Sequence, residues 1–445
     1  MPLFHRTLIS SLHSWKDSPN RKPAIIRGAR QVGKSSLVRT LGAAFPNFVE
    51  INFELKPTLK QVFEQDLDPK RIVRDLQLVL NTNIIPESTL LFFDEIQECP
   101  NALRSLRYFY EQLPELHVIA AGSLLEFEMQ ARGVPVGRIQ FYQLFPFSFC
   151  EFLEALEERH LLEHLNSCAL DQPIASAVHE KLLALVKLYL CIGGMPQVIK
   201  TYAEQKDLRS SHEVLGQIAN SYRQDFHKYA KTSRLQTVED VFLAIPRMIG
   251  TKFKASIVRD DQRAEYFFDA MDLLSRAGVA HKVMHTSANG VPLGGEAKSR
   301  HFKPLSLDIG LTQHLLGLNL KDWVSASPIE FVNRGTAAEQ FAGQELLAYQ
   351  DPSDIPQLYY WHREARSSSA EVDYVCSRQN QVIPVEVKSG SSGRFKSMLL
   401  FLNEKKAAPF GIRASAAGFG SVIVNDRKIY SLPLYALWRW KELGE

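Results

Sequence analysis

The segment Gly28-Ala29-Arg30-Gln31-Val32-Gly33-Lys34-Ser35 has the residue types and spacing for triphosphate chemistry. Its glycines let backbone N–H groups turn inward around phosphate oxygens. Lys34 reaches the β- and γ-phosphates, and the Ser35 hydroxyl ligates Mg²⁺. Ser36 continues the loop into a helix, so residues 28–36 are the nucleotide-binding candidates. A second chemical feature is Asp94-Glu95, at the end of the apolar run Thr89-Leu90-Leu91-Phe92-Phe93. Acids at the C-terminal end of a buried parallel strand face the ligand crevice of an α/β sheet. Asp94 is placed to hold Mg²⁺, mostly through water, and Glu95 to polarise the attacking water. Two acids in the first turn of a helix would give the same string.

Two further residues are candidates at the same centre. Ser123 follows the apolar run His117-Val118-Ile119-Ala120-Ala121 and is read as a sensor of the γ-phosphate; a Gly-Ser turn capping a helix is the alternative. Arg138 is a candidate arginine finger reaching a neighbouring copy's γ-phosphate, with Arg104 and Arg107 as rivals. Pro196, in Gly193-Gly194-Met195-Pro196, is a candidate for packing on an adenine ring, or else part of a plain helix–helix turn.

A separate set of charges lies near the C-terminus. Glu371-Val372-Asp373 and Glu386-Val387-Lys388 fall on consecutive strand-like runs. Side chains alternate along a strand, so a hairpin brings Asp373, Glu386 and Lys388 together. Two carboxylates hold Mg²⁺, and the adjacent lysine assists attack on a phosphodiester. Glu339, on the preceding helix with Glu345, completes the candidate metal set. Alternating charges on a solvated strand face would read alike. His160, Glu163 and His164 match a zinc-peptidase string, but no third ligand accompanies them, and a solvated helix is expected there.

These residues need elements to hold them. Ala24-Ile25-Ile26 is a short buried strand before the glycine loop, and Leu37-Val38 begins a helix after it. Alternating strands and helices over 1–150 predict a parallel α/β core. Residues 151–235 read as a helical lid, entered through a capping box at Ser148 and Glu151. Over 236–322, helices precede two β-prone runs, 278–283 and 301–305, which suggests a winged-helix-like domain. Lys252, Lys254, Arg259, Arg263, Lys298, Arg300 and Lys303 around it are candidates for neutralising phosphates, or ordinary solvated charges. Residues 325–445 read as a second α/β domain.

Composition is that of a globular protein, with 23% charged residues and a formal net charge of +3. That charge neither requires nor excludes nucleic acid. No apolar run approaches the ~18 residues that a membrane span needs. The first residues lack the features of an export signal. The 5 cysteines are scattered without metal-site spacing. A cytoplasmic protein with reduced thiols is expected.

The order of these motifs resembles a bacterial and archaeal AAA-type P-loop ATPase family. The resemblance runs through G-A-R-Q-V-G-K-S at 28–35, L-L-F-F-D-E-I-Q at 90–97, A-G-S-L-L at 121–125, G-R at 137–138, L-F-P-F-S-F-C-E-F at 144–152 and G-G-M-P at 193–196. R-G-T-A-A-E-Q-F from 334, E-V-D-Y-V from 371 and V-E-V-K-S-G from 385 resemble that family's C-terminal domain, itself similar to restriction-endonuclease-like (PD-(D/E)xK) nucleases. The resemblance implies ATP and Mg²⁺ at Gly28, Gly33, Lys34, Ser35, Asp94 and Glu95. It also implies a nuclease-like cluster of Glu339, Asp373, Glu386 and Lys388. The expected function is ATP hydrolysis coupled to a DNA-associated module, on duplex or branched DNA, in a possible homo-oligomer. An ATP-controlled switch or scaffold that binds without cutting is the alternative.

Overall fold

The computed structural model describes residues 4–123, 125, 127, 137–328, 330, 335–363, 370–388 and 395–444. They divide into two units. One holds the residues up to Phe145 with Arg276–Gly278 and Gln350–Pro356, and the other holds the rest.

In the first unit, β1 (Ala24–Arg27), β2 (Asn47–Asn52), β3 (Thr89–Asp94), β4 (His117–Ala121) and β5 (Gln140–Gln143) form a parallel sheet in the order β2-β3-β4-β1-β5. Every residue of β3 and β4 is buried. Burial on both faces explains why these runs are continuously apolar rather than alternating. Helices α1 (Leu8–Asp17), α2 (Lys34–Gly42), α3 (Pro69–Leu80) and α4 (Pro100–Gln112) belong to the same unit. Local signals set their ends. Helix α3 starts where the Asp68 carboxylate accepts the Lys70 N–H, has Pro69 in its first turn, and stops at a left-handed Asn81. The Phe93 ring packs 5.8 Å from Phe53, 5.6 Å from Phe63 and 6.0 Å from Phe109. This cluster fixes the end of β3. Parallel pairing then brings the ends of β1, β3 and β4 to one edge, from which Gly28, Asp94 and Ser123 emerge.

The second unit opens with helices α5 (Phe149–Ala155), α6 (Arg159–Ser167), α7 (Ser176–Ile192), α8 (Pro196–Gln205), α9 (Leu208–Asp225) and α10 (Leu235–Ala244). The Ser148–Glu151 capping box is formed at α5. Later come α11 (Ile309–Leu315), α12 (Gly335–Ala348) and α13 (Lys396–Glu404). Its eight-stranded mixed sheet joins β6 (Ala280–His285), β7 (Lys298–Ser306), β8 (Leu358–His362), β9 (Glu371–Arg378), β10 (Gln381–Lys388), β11 (Phe410–Ser415), β12 (Gly420–Val424) and β13 (Arg427–Pro433). The order is β12-β13-β11-β10-β9-β8-β6-β7. The two runs read as a wing do pair as the antiparallel β6–β7 hairpin. However, β6 also pairs in parallel with β8, so the hairpin continues the C-terminal sheet and is not a free-standing wing. The sequence pattern predicts a hairpin but carries no sign of its outer neighbour.

Helix α12 is buried on nearly every side, and its polar side chains serve distant backbone. Gln340 bonds both the N–H and the C=O of Ser306, at 3.0 and 2.9 Å. Gln344 accepts the Ile309 N–H at 2.9 Å and donates to the Tyr189 hydroxyl at 2.6 Å. Glu345 accepts the Phe149 N–H at 3.0 Å, capping α5 across the chain. The Gly193-Gly194 turn is held by Asp308, which accepts the Gly194 N–H at 2.6 Å. A Cβ on Gly194 would lie 2.3 Å from the Phe147 carbonyl oxygen, so this position admits no side chain. Among the described residues no helix is long and apolar enough to cross a membrane.

Truncating the Phe93 ring should remove about 3–5 kcal/mol of stability to denaturant. It should also loosen the strand that presents Asp94. A Phe93→Ala variant with an unchanged denaturation midpoint would contradict this packing.

Candidate functional site

The nucleotide loop lies between β1 and α2. Gly28 has φ +145°, and a Cβ there would meet the Leu144 carbonyl oxygen at 2.3 Å. Gly33 sits in the left-handed region at φ 97° and opens α2, whose first-turn N–H groups lack acceptors within the helix, as an anion site requires. Lys34 is 7% exposed. Its ammonium donates to the carbonyl oxygens of Gly28 at 3.0 Å and Ala29 at 2.7 Å. Burial brings the Lys34 pKa down to about 8, against the opposing pull of Glu95 and Asp94. A phosphate oxygen would replace the carbonyls as the acceptor of this buried charge.

Ser35 Oγ lies 3.0 Å from each Asp94 carboxylate oxygen. The Asn52 amide donates to Asp94 Oδ2 at 3.0 Å. Burial raises the Asp94 pKa, while the Ser35 and Asn52 hydrogen bonds oppose it. A hydroxyl and a carboxylate at this separation suit Mg²⁺, whose bound charge would favour the carboxylate. Glu95 follows in a left-handed conformation, φ 49°, and accepts a hydrogen bond from Gln97 at 2.6 Å. A strained non-glycine residue beside the phosphate loop suits a catalytic position. Ser123 is buried just beyond β4, which runs between β1 and β3.

Of the other loop residues, Ala29 and Val32 are buried, whereas Gln31 and Ser36 are exposed. The Arg30 guanidinium lies 4.0 Å from the Glu54 carboxylate. Arg138 is exposed and bonds Glu111 at 2.9 Å. Pro196 begins α8 in the second unit and is half-buried. His160 and Glu163 are solvated on α6. Leu124, Arg334, Ser389 and Gly390, which belong to motifs quoted above, lie outside the described residues.

Sequence inspection missed two supports of the loop. Arg6 is buried and donates to the Val32 carbonyl at 2.8 Å and the Phe145 carbonyl at 2.6 Å, clamping the loop from below. Asn52 stands opposite Asp94 in the β2–β3 register. An asparagine ending a strand carries little signal until its neighbour is known.

The C-terminal carboxylates have a different centre from the one expected. Lys303, read above as a phosphate-facing charge, is buried instead. Its side chain is 3% exposed, and its Nζ lies 3.0 Å from Glu339, 2.5 Å from Glu371 and 3.8 Å from Asp373. The inner half of β7 is buried, which turns Lys303 inward. Burial opposes the ammonium, yet Glu339, Asp373 and Glu371 outweigh it and hold its pKa above the ordinary value. Burial and then Asp373 push Glu339 up to about 7. Asp373 is raised by burial as well. Its second oxygen accepts the Val387 N–H at 2.8 Å. Glu386 turns to Lys388 at 2.7 Å and faces Arg413 in the β10–β11 register. Thus Glu339 and Asp373 meet, while Glu386 and Lys388 form a neighbouring pair. Among the described residues, no group of three or more His, Cys, Asp or Glu has the geometry of a metal site.

Comparison with known proteins agrees with the first unit. Residues 20–153 match the AAA domain family model (AAA_14). Those residues form an AAA-type P-loop ATPase domain. Residues 183–322 match a domain of unknown function (DUF8612), and residues 334–434 match another (DUF4143). The search of curated proteins returns no match. Among solved structures, the Walker-type ATPase paby2304 of Pyrococcus abyssi is 17% identical over 70% of this chain and 96% of its own, with a TM-score of 0.45. The Aeropyrum pernix ORC1 protein, solved in complex with DNA, is 12% identical over 71% of this chain and 93% of its own, at a TM-score of 0.30. PCH-2 of C. elegans is 11% identical over 46% of this chain and 65% of its own, at 0.29. These are loose likenesses; the ATPase domain stands on its family match and its own loop.

Two outcomes follow. Lys303→Ala leaves buried carboxylates without their counter-charge and should cost about 3–5 kcal/mol, read as a lowered denaturation midpoint. At the loop, the free Lys34 ammonium loses its proton as pH rises through about 8, and a bound triphosphate restores it. Nucleotide binding should therefore take up a proton above that pH and weaken as pH climbs, with no uptake below it. Calorimetry in buffers of different ionisation enthalpy measures this. Identical heats in all buffers well above that pH would show that Lys34 keeps its charge.

Proposed function

We propose that the protein is a Mg²⁺-dependent ATPase switch whose hydrolysis cycle changes the state of a C-terminal module that binds without cutting. The observation that carries the reading is the joining of Lys34, Ser35 and Asp94 at one sheet edge, with Glu95 next in the chain. Lys34 exchanges its two carbonyl partners for phosphate oxygens. The Ser35 hydroxyl and the Asp94 carboxylate would hold Mg²⁺, which would supply charge neutralisation on the β- and γ-phosphates. Asn52 keeps Asp94 oriented. Glu95, steadied by Gln97, orients water and accepts its proton. Ser123 serves as the γ-phosphate sensor. Arg138 is the candidate finger toward a second copy, once released from Glu111.

A second reading is ATP-gated cleavage of duplex or branched DNA. The Asp373–Val387 hydrogen bond favours it, because it ties the aspartate strand to the Glu386–Lys388 strand. Lys303 weighs against it, since the cluster already has its counter-charge.

Glu95→Gln should lower ATP turnover by about 100-fold or more while nucleotide binding persists, the loss expected when a base is removed. Lys34→Ala should lose binding as well. Phosphate release and fluorescent-nucleotide titration distinguish the two. Full turnover in Glu95→Gln would remove that residue from the mechanism. A parallel panel of duplex, single-strand, fork and four-way-junction DNA tests the second reading. Cleavage by the wild type that vanishes in Lys388→Ala would replace the switch with an ATPase–nuclease.

A further inference from the structure

We infer that the C-terminal carboxylate cluster is closed by the protein's own ammonium, that of Lys303, and takes no divalent cation in the wild-type chain. A divalent metal site there needs Glu339, Asp373 and Glu386 to converge on one point that water can also reach. Mg²⁺ demands near-octahedral oxygen ligands and usually keeps several waters. The convergence is not met. The point between Glu339, Glu371 and Asp373 is filled by Lys303 Nζ, at 3.0, 2.5 and 3.8 Å.

The ligand set is also divided. Asp373 gives one oxygen to the Val387 N–H. Glu386 is drawn to Lys388 at 2.7 Å, and its other oxygen is buried without a hydrogen-bond partner among the described residues. Two lysines thus split the carboxylates that a metal would have to gather. Lys303 is also held in place mechanically. Its strand pairs with β6 through the Val283–Lys303 register, and its ammonium sits 5.2 Å from the centre of the Tyr360 ring. Ejecting it would bury several carboxylates without a counter-charge until a metal arrived. The same arrangement makes the site latent: removing the ammonium leaves a pocket of carboxylates that can be satisfied by a cation. This inference does not depend on ATP hydrolysis, so loss of the ATPase reading would leave it standing.

The test is Mn²⁺ binding to the nucleotide-free full chain, followed by the paramagnetic signal of free Mn²⁺. Wild type and Asp373→Asn should bind equally little. Lys303→Ala should gain Mn²⁺ affinity by at least about tenfold, and the gain should disappear in Lys303→Ala combined with Asp373→Asn. Its thermal midpoint should rise on adding Mn²⁺, whereas the wild-type midpoint should not. Lys303→Met, which keeps the stem, serves if the alanine variant does not fold. If neither folds, the wild-type comparison decides. Mn²⁺ held by the nucleotide-free wild type and released by Asp373→Asn would overturn the inference, as would a folded Lys303 variant that gains none.

Discussion

A buried ammonium must be surrounded by acceptors, and each unit has one at its chemical centre. Lys34 and Lys303 are 7% and 2% exposed. They are satisfied in opposite ways. Lys34 rests on two neutral backbone carbonyls, and burial depresses its pKa despite the pull of the nearby Glu95 and Asp94. Such a group is poised to trade neutral oxygens for charged ones, which a triphosphate supplies. Lys303 is enclosed by fixed carboxylates that hold its charge firmly. It has little to gain from any further anion. The same side chain thus marks a site built for exchange in one unit and a finished ion pair in the other.

In the second unit, that ion pair is one end of a longer polar seam on α12. A helix buried on all sides must satisfy every polar group it carries. Glu339 faces Lys303; Gln340, Gln344 and Glu345 take up backbone groups of Ser306, Ile309 and Phe149. Burial lifts Glu345 to about 8 and Asp308 to about 6, so their hydrogen bonds lie within a tight, low-dielectric core. The helix ends around Gly193 and Ser148 are therefore completed by residues far later in the chain. The matched regions 183–322 and 334–434 share this seam and one sheet. They are neighbours in sequence but parts of a single bonded structure.

The ATPase loop was legible because its chemistry is local. Gly28 through Ser35 is one short stretch of backbone, and the run ending in Asp94-Glu95 carries strand, burial and acid in seven consecutive positions from 89 to 95. The capping box at Ser148 was legible for the same reason. The loop's supports were not: Arg6 reaches across 26 positions to Val32, and Asn52 meets Asp94 only through strand register. An arginine near the N-terminus and an asparagine after a strand are common features with no pattern of their own.

Sequence by itself determined the parallel ATPase core, the phosphate loop with its acidic pair, and the strand hairpin that carries Asp373, Glu386 and Lys388. Each rests on periodicity or spacing within one or two adjacent elements, where the backbone geometry fixes which side chains meet. Only the tertiary structure decided what those carboxylates face. The identity of the counter-charge depends on β6 and β7 joining β8 at the far side of the sheet, and on the inner half of β7 turning Lys303 inward. Strand order and register across long separations are set by the packing of whole faces, and one lysine in an alternating run gives no sign of which side it will take.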